Sequence, residues 1–379
     1  LPQQHWKESN TMKTLRTAVI GLGFIGAVHV EQIRRIPYVE VVAVVDAFGA
    51  EERAKQMGVP AAFSDYKEMM DTVKPDCVHI CTPNFMHREI ALAAFERGIN
   101  VVCEKPMAMN AEEAQEMADA AKKSGCIGAL NFHNRYYPIP YRMRRMVENG
   151  DLGDVFAVQG GYLQDWLQYE TDFSWKLLSA KCGKTRVTAD LGSHWMDLAE
   201  YVSGQKITEV FAEFKTIYPI RINQTPDGIE SVPIDTEDFS YVIVRFENGA
   251  IGNAQFSGVF SGKKNQTVLQ VAGTKASMEW DNEKVNDLLI GHRSAPNELL
   301  TKDSGLVDES TATIINYPGG HAEGFSEAFK QNFTAIYNVI RGEKLTNPFA
   351  TFDDGLHVMK LCDALYESSQ TGNWVRVEE

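Results

Sequence analysis

The run Leu15-Arg16-Thr17-Ala18-Val19-Ile20-Gly21-Leu22-Gly23-Phe24-Ile25-Gly26-Ala27-Val28-His29-Val30 constrains this chain more than any other stretch. Residues 17–20 are a short apolar run that ends directly in Gly21-Leu22-Gly23-Phe24-Ile25-Gly26, and apolar residues then continue at helical spacing. Strand, glycine turn and helix form the context in which a GxGxxG pattern carries meaning. Gly21 is expected to make the tight turn, Gly23 to let the backbone approach a pyrophosphate, and Gly26 to let helix and strand pack closely. The helix start, Phe24 and Ile25 included, would offer free N–H groups and a positive dipole end to phosphates. The glycines alone would also allow another kind of phosphate loop. A second strand over residues 39–45 ends at Asp46, 20 residues past Gly26, where a dinucleotide fold places the group that accepts from the adenosine ribose hydroxyls. A carboxylate there repels a 2′-phosphate, and no cation follows until Arg53, so NAD is expected in preference to NADP.

A chain of 379 residues has room for two domains, and 44% hydrophobic with 23% charged residues suits a soluble globular protein. The net charge of −14 argues against nucleic acid or an anionic membrane as the main partner. There is no apolar run long enough to span a bilayer and no signal-peptide pattern. The six cysteines form no CxxC pair and read as reduced core residues, so a cytoplasmic location is expected. The nine histidines show no metal-ligand spacing, and no metal is expected. Residues 1–13 read as a tag or disordered arm, with Met12 as the expected native start.

Beyond Asp46 the pattern alternates. Helices are expected at 51–57, 68–73, 88–96 and 112–123, and strands at 77–81, 100–103 and 127–130. That alternation predicts a doubly wound parallel sheet over residues 14–136. After residue 137 a basic helix (141–148) precedes strands at 155–162, 207–217, 236–246, 250–259 and 267–272. Asn248-Gly249 suits a tight hairpin turn, so residues 137–379 read as an α+β domain with a mostly antiparallel sheet. Helices are expected at 187–202, 324–341 and 353–369.

Three places carry chemistry. Thr82-Pro83-Asn84 and Glu104-Lys105-Pro106 each end a strand, where open α/β sheets bind ligands. Lys105 would lie near the nicotinamide, placed to polarise a substrate oxygen, unless it is a surface lysine before a proline; Pro106 suits a cis peptide. In Asp190-Leu191-Gly192-Ser193-His194-Trp195-Met196-Asp197, Asp190 and His194 are four apart and would share one helix face. Histidine can take a hydroxyl proton while hydride leaves the same carbon, with Asp190 or Asp197 holding the imidazole; an N-cap and a core histidine are the plainer alternative. Arg135, Tyr136, Tyr162, Gln164, Asp165, Trp166, Trp175 and the turn with His321 and Glu323 offer aromatic faces and dipoles suited to a sugar.

Taken together these residues resemble the glucose–fructose oxidoreductase / inositol dehydrogenase / MocA family from Thr14 onward. The resemblance rests on Gly21–Gly26 with Asp46, on Thr82-Pro83-Asn84 with His87, on Glu104-Lys105-Pro106, and on the DxGxHxxD run from Asp190 to Asp197. It implies a Rossmann domain and a second domain whose open sheet joins copies into tetramers or larger homo-oligomers. It places Lys105, Asp190 and His194 on catalytic positions, with His194 as general base. It places Gly21, Gly23, Phe24, Ile25, Gly26, Asp46, Thr82, Pro83, Asn84, His87, Glu104, Lys105 and Arg135 at the cofactor, and Tyr136, Gln164, Trp166, Trp175, Arg186 and His321 at the substrate. Residues 187–195, 257–265 and 318–324 are similar to the levoglucosan dehydrogenase-like subgroup, which oxidises a pyranose hydroxyl, typically at C3. A departure is Gly183-Lys184-Thr185-Arg186 where the family has a glycine-rich run. The expected activity is NAD-dependent oxidation of a ring hydroxyl of a sugar or glycoside. A redox-assisted glycosidase, a cyclitol dehydrogenase and a non-catalytic NAD sensor are the alternatives.

Overall fold

Two large sheets, each backed by helices, meet along a cleft, and a two-stranded antiparallel pair, Ile220–Thr225 with Gly228–Pro233, stands apart from them. The computed structural model describes residues 14–226, 228–345 and 347–377. The expected arm at 1–13 lies outside the described residues.

The first sheet has seven strands in the order Ala350–Thr351, Gly128–Leu130, Asn100–Cys103, Cys77–Ile80, Leu15–Ile20, Val39–Val45, Ala61–Phe63. Its six N-terminal strands run parallel, as their near-continuous apolar sequences require when both faces are covered. The chain builds outward from Leu15–Ile20 to one side, then returns to the other at Cys77–Ile80. The crevice between these two strand ends is the switch point at which such sheets bind ligands. The helices Phe24–Ile33, His87–Glu96 and Ala111–Ser124 cover the sheet, and Asn110 caps the last by accepting from Glu113 N. The short strand Ala61–Phe63 was not evident in the sequence. Nor was Ala350–Thr351, which pairs antiparallel with Gly128–Leu130 from more than 200 residues away.

The second sheet has nine strands, with Val155–Leu163 central and paired parallel to Ile251–Ser257; its other pairings are antiparallel. The hairpin at Asn248-Gly249 forms, with Gly249 at φ +87°. One face packs on the helix Ser193–Ser203 through the fully buried Trp195, whose Nε1 donates to Val268 O at 3.0 Å. Gly160 makes this approach possible, because a Cβ there would lie 1.9 Å from Val268 O and 2.9 Å from Trp195 Nε1. Two late helices tie the sheets together. Phe325–Ile340 packs on Phe24–Ile33, and Phe352–Thr371 lies between Ala111–Ser124 and the strand Ile207–Lys215.

The segment expected as one helix over 187–202 is not uniform. Thr188–Gly192 is a π turn that runs into the α-helix Ser193–Ser203. Such turns concentrate at functional sites, and this one carries Asp190.

Candidate active site

A cleft of about 870 Å³ runs from Gly21–Ile25 and Asp46, past Thr82–Asn84 and Glu104-Lys105, to Asp190, His194, Gln164, Trp166 and Trp175. At its first end Gly21 makes the tight turn and Gly26 the close helix–strand packing that the pattern asked for. Gly21 has φ +90°, and a Cβ would lie 2.7 Å from Cys81 C. A Cβ at Gly26 would lie 1.9 Å from Gly21 O, so strand and helix can touch only if position 26 is glycine. At Gly23 a Cβ would meet no protein atom within 4 Å; it would instead fill the cradle before a helix whose first turn has no side-chain cap. That open cradle, with free N–H groups facing it, fits a pyrophosphate. Asp46 stands beside it, accepting from Leu22 N at 2.7 Å and Phe48 N at 3.0 Å, which leaves each oxygen with capacity for a ribose hydroxyl. The Arg53 guanidinium is engaged by Leu22 O rather than turned to the ribose side.

Thr82-Pro83-Asn84 and the cis Lys105-Pro106 bond form adjacent walls. His87 is not in the cleft. Its ring sits behind both walls, Nε2 2.8 Å from Thr82 O and Nδ1 3.0 Å from Pro106 O.

The second end holds a charge cluster. Lys105 Nζ donates to Asp190 Oδ1 and to Asp190 O, both at 2.8 Å, and Lys176 Nζ reaches Asp190 Oδ1 at 2.9 Å and Oδ2 at 3.1 Å. Burial pushes the Asp190 carboxyl up, but the two ammonium groups hold it well below the usual carboxylate range. Neither Asp190 nor Asp197 holds the imidazole of His194. Asp197 is instead buried against Arg135, with Oδ1 at 2.5 Å and 3.1 Å and Oδ2 at 2.9 Å from the guanidinium. His194 is packed by Phe132, His133 and Tyr162, and its Nδ1 is buried without a hydrogen-bond partner among the described residues, which leaves Nε2 for the cleft. Burial, then the Lys105 charge, pushes His194 well below the ordinary histidine value, so its ring is neutral at neutral pH.

Beyond this cluster Tyr162 OH and Gln164 Nε2 both donate to Asn265 Oδ1, at 2.7 and 2.5 Å, and Trp166 Nε1 donates to Gln164 Oε1 at 2.8 Å. Trp166 and Trp175 stay partly exposed at the rim. The expected Asp165 pairs with Lys264 at 2.8 Å.

Besides His87, the expected Arg135, Tyr136, Arg186 and His321 are not brought to the cleft. Arg135 is committed to Asp197 and stacks on Tyr201, so it is a buried strut rather than a cofactor contact. Tyr136 lies in the core, donating to Asn347 O at 2.7 Å. Arg186 is buried with Glu237 and Asp238, behind Asp190, across a cavity of about 10 Å³ that Lys176 also lines. His321 is exposed outside the cleft lining, on a turn fastened by the buried Lys302–Glu323 pair at 2.9 Å. Sequence reasoning missed Lys176, Lys264, Asn265 and His133, which line the cleft. Lys176 follows Trp175 directly, and a cation beside an aromatic already assigned to the site was the available signal. Among the described residues no cluster of histidine, cysteine and carboxylate could hold a metal, and no helix is long and apolar enough to cross a membrane.

Comparison with known proteins agrees with this geometry. Residues 15–132 match the model of an oxidoreductase family with an NAD-binding Rossmann fold, and residues 141–279 match the GFO/IDH/MocA C-terminal domain. Levoglucosan dehydrogenase of Pseudarthrobacter phenanthrenivorans is 28% identical over 97% of this chain and 99% of its own. D-glucoside 3-dehydrogenase of Escherichia coli is 28% identical over 98% and 100%. A structure of levoglucosan dehydrogenase with NADH and L-sorbose superposes with a TM-score of 0.89 at 26% identity, covering 97% of this chain and 100% of that one.

Proposed function

Given that the chain belongs to this GFO/IDH/MocA oxidoreductase family and is an NAD-dependent sugar or polyol oxidoreductase, we propose that it oxidises a secondary ring hydroxyl of a pyranose, at C3, in a sugar or glycoside. The observation that supports this most is a neutral, buried His194 facing the cleft that also holds the Lys105–Asp190–Lys176 cluster. NAD, when bound, supplies the hydride acceptor. Gly21–Gly26 and Asp46 hold its phosphates and adenosine ribose, and the Thr82–Asn84 and Glu104-Lys105 walls flank its nicotinamide end.

His194 Nε2 takes the hydroxyl proton. The Lys105 ammonium donates to the same oxygen and stabilises the negative charge that grows there as the proton leaves. Its charge weakens His194 as a base, but it acidifies the hydroxyl in the same field, so the two remain matched. Asp190 keeps both lysines in place and accepts from a neighbouring hydroxyl. Trp166 and Trp175 stack on sugar C–H faces, while Gln164 and Asn265 read hydroxyls.

We also infer that copies associate through the outer face of the second sheet. That face carries Tyr241, Ile251 and Leu299 at 46%, 56% and 66% exposure, with no helix over it among the described residues.

The test is NADH formation, followed by absorbance, on a panel of sugars, glycosides and cyclitols, with products identified by mass spectrometry. A 3-keto product with one NADH per turnover is expected. Ketone formation at another carbon, or on cyclitols alone, would reject the pyranose C3 reading. Release of an aglycone without accumulating NADH would replace it with redox-assisted glycoside cleavage.

A further inference from the structure

Beneath the cleft, and outside the chemistry just described, runs a chain of buried polar side chains. Tyr337 OH lies 2.7 Å from His79 Nε2, His79 Nδ1 lies 2.8 Å from His29 Nδ1, and His29 Nε2 lies 2.8 Å from Glu104 Oε1. Both imidazoles have no exposure at all, His29 packed by Phe329 and Phe333 and His79 by Phe333, so the three links are sealed from water. Only Glu104 reaches the cleft.

The protons in this chain are not free to be arranged at will. One proton can lie between the two Nδ1 atoms. If His79 owns it, His79 Nε2 is a bare acceptor for the Tyr337 hydroxyl, His29 Nδ1 is a bare acceptor, and His29 Nε2–H donates to the carboxylate. Every link is then satisfied with both rings neutral. If His29 owns it while its Nε2 still donates to the Glu104 carboxylate, His29 is an imidazolium, His79 must donate from Nε2, and Tyr337 must act as acceptor. Phenol is the better donor and imidazole nitrogen the better acceptor, and the first arrangement leaves no charge to be buried on a ring between two phenylalanines, so it wins. Tyr337 therefore sets the direction at the far end.

The consequence falls on Glu104. Its carboxylate accepts from His29, from Asn131 Nδ2 at 2.5 Å and from Lys105 N at 3.3 Å, but with a neutral His29 it has no imidazolium to cancel it. Burial pushes its carboxyl up, yet the hydrogen bonds from His29 and Asn131 and the Lys105 charge pull it below the ordinary glutamate value. Cys81, Cys103, His87 and His133 complete the groups within electrostatic reach. Burial lowers both histidines and raises both thiols.

We propose that Tyr337, His79 and His29 form a one-way hydrogen-bond chain that holds Glu104 as a buried anion at the nicotinamide end, so that the site prefers the cationic oxidised nicotinamide to the neutral reduced one. The three are positioning residues that act through Glu104, and the inference rests on the placement of the nicotinamide given above. In a turnover cycle such a bias favours loading of NAD and release of NADH.

Two measurements on the intact protein test it. Nitrogen-15 histidine NMR without cofactor should show His79 as the Nδ1–H tautomer and His29 as the Nε2–H tautomer. Separately, the ratio of Kd for NADH to Kd for NAD should fall roughly tenfold in Glu104→Gln, the scale of one lost charge at partly shielded range. It should fall about threefold in Tyr337→Phe, which removes a single oxygen remote from the cleft and with it the donor that fixes the direction of the chain. A purely structural role would move both Kd values together and leave the ratio unchanged. His79 found as Nε2–H in the wild type overturns the chain itself. The expected tautomers with an unchanged ratio in Glu104→Gln overturn instead its effect on the nicotinamide, and with it the placement on which it rests.

Discussion

At the scale of single residues, His194 and Asp46 make separable claims. His194→Ala should lower kcat by roughly two to four orders of magnitude while the Kd for NAD stays within about twofold. Stopped-flow hydride transfer and cofactor titration read the two, and an equal loss of NAD affinity would place His194 at the cofactor instead. The pH profile gives a second reading of the same assignment. A base must be unprotonated to work, and burial with the Lys105 charge lowers His194. Activity in the oxidative direction should therefore rise with pH through a value below the ordinary histidine pKa and be level above it; an acid limb at or above that value would point to another base. Asp46→Ala should weaken NAD and narrow the preference against NADP, because it removes the carboxylate that repels a 2′-phosphate. Unchanged preference would mean that Arg53, held at Leu22 O, decides it instead.

Residue identity was more legible in the sequence than residue direction. Gly21 and Gly26 could be read because backbone geometry alone dictates them, and Asp46 because it ends a strand at a set spacing from the glycine turn. Arg135 and Tyr136 follow a strand end, where site residues gather, yet both turn inward to Asp197 and Asn347, partners 62 and 211 residues away. No local pattern records which way such a side chain points. Lys176 was overlooked for the converse reason, since its partner Asp190 becomes its neighbour only through tertiary folding.

At the scale of elements, the π turn decides how Asp190 and His194 face the cleft. Periodicity reads Val187 to Val202 as one helix, because a single wide turn leaves the apolar spacing nearly intact. The structure shows what the wide turn achieves: Asp190 is turned to the two lysines, while Trp195 still seats in the sheet and His194 faces the cleft. Gly192 sits at the junction with ordinary helical backbone, φ −60°, so alanine there costs nothing in conformation. Its Cβ, however, would lie 2.7 Å from the buried ring of Phe256. Gly192→Ala should therefore destabilise the fold by about 1–3 kcal/mol through overpacking and, by pushing the turn off the sheet, lower kcat more than it raises KM. Calorimetry and steady-state kinetics measure both. Normal stability and kinetics would show that Phe256 gives way without cost. Of the strands missed in sequence, Ala61–Phe63 and Ala350–Thr351 are three and two residues long, too short to show alternation, while Ile220–Thr225, Gly228–Pro233, Ser277–Asp281, Asp287–Gly291 and Glu298–Thr301 lie in a hairpin or toward a sheet edge, where polar residues interrupt the apolar pattern.

At the scale of the whole molecule, the two sheets differ in how their faces are used. The first is covered on both sides. The second is covered on the side of Trp195, Phe256 and Leu269, and open on the other, where the strands Phe239–Phe246 and Ile251–Ser257 present Tyr241, Ile243 and Ile251 to water. An apolar stripe in the middle of a sheet is a costly surface for a lone protomer and a ready one for a second copy. Changing it without damaging the sheet requires attention to cross-strand neighbours. Tyr241 lies beside Gln255 and Glu213, and Ile251 lies beside Arg245. Lysine at 241 and glutamate at 251 would each face an opposite or neutral partner, so the double variant Tyr241→Lys, Ile251→Glu keeps favourable pairs within the protomer. Between copies it places charges where apolar side chains met. Light scattering behind size exclusion should then show the wild type as a dimer or larger and the variant at a lower mass, with thermal stability of the protomer held within a few degrees. The cleft is lined from the covered side of the same sheet by Tyr162, so NAD affinity should persist in the dissociated form. A wild type that already runs as a monomer would overturn association through this face. A variant of undiminished mass would move the interface elsewhere on the molecule.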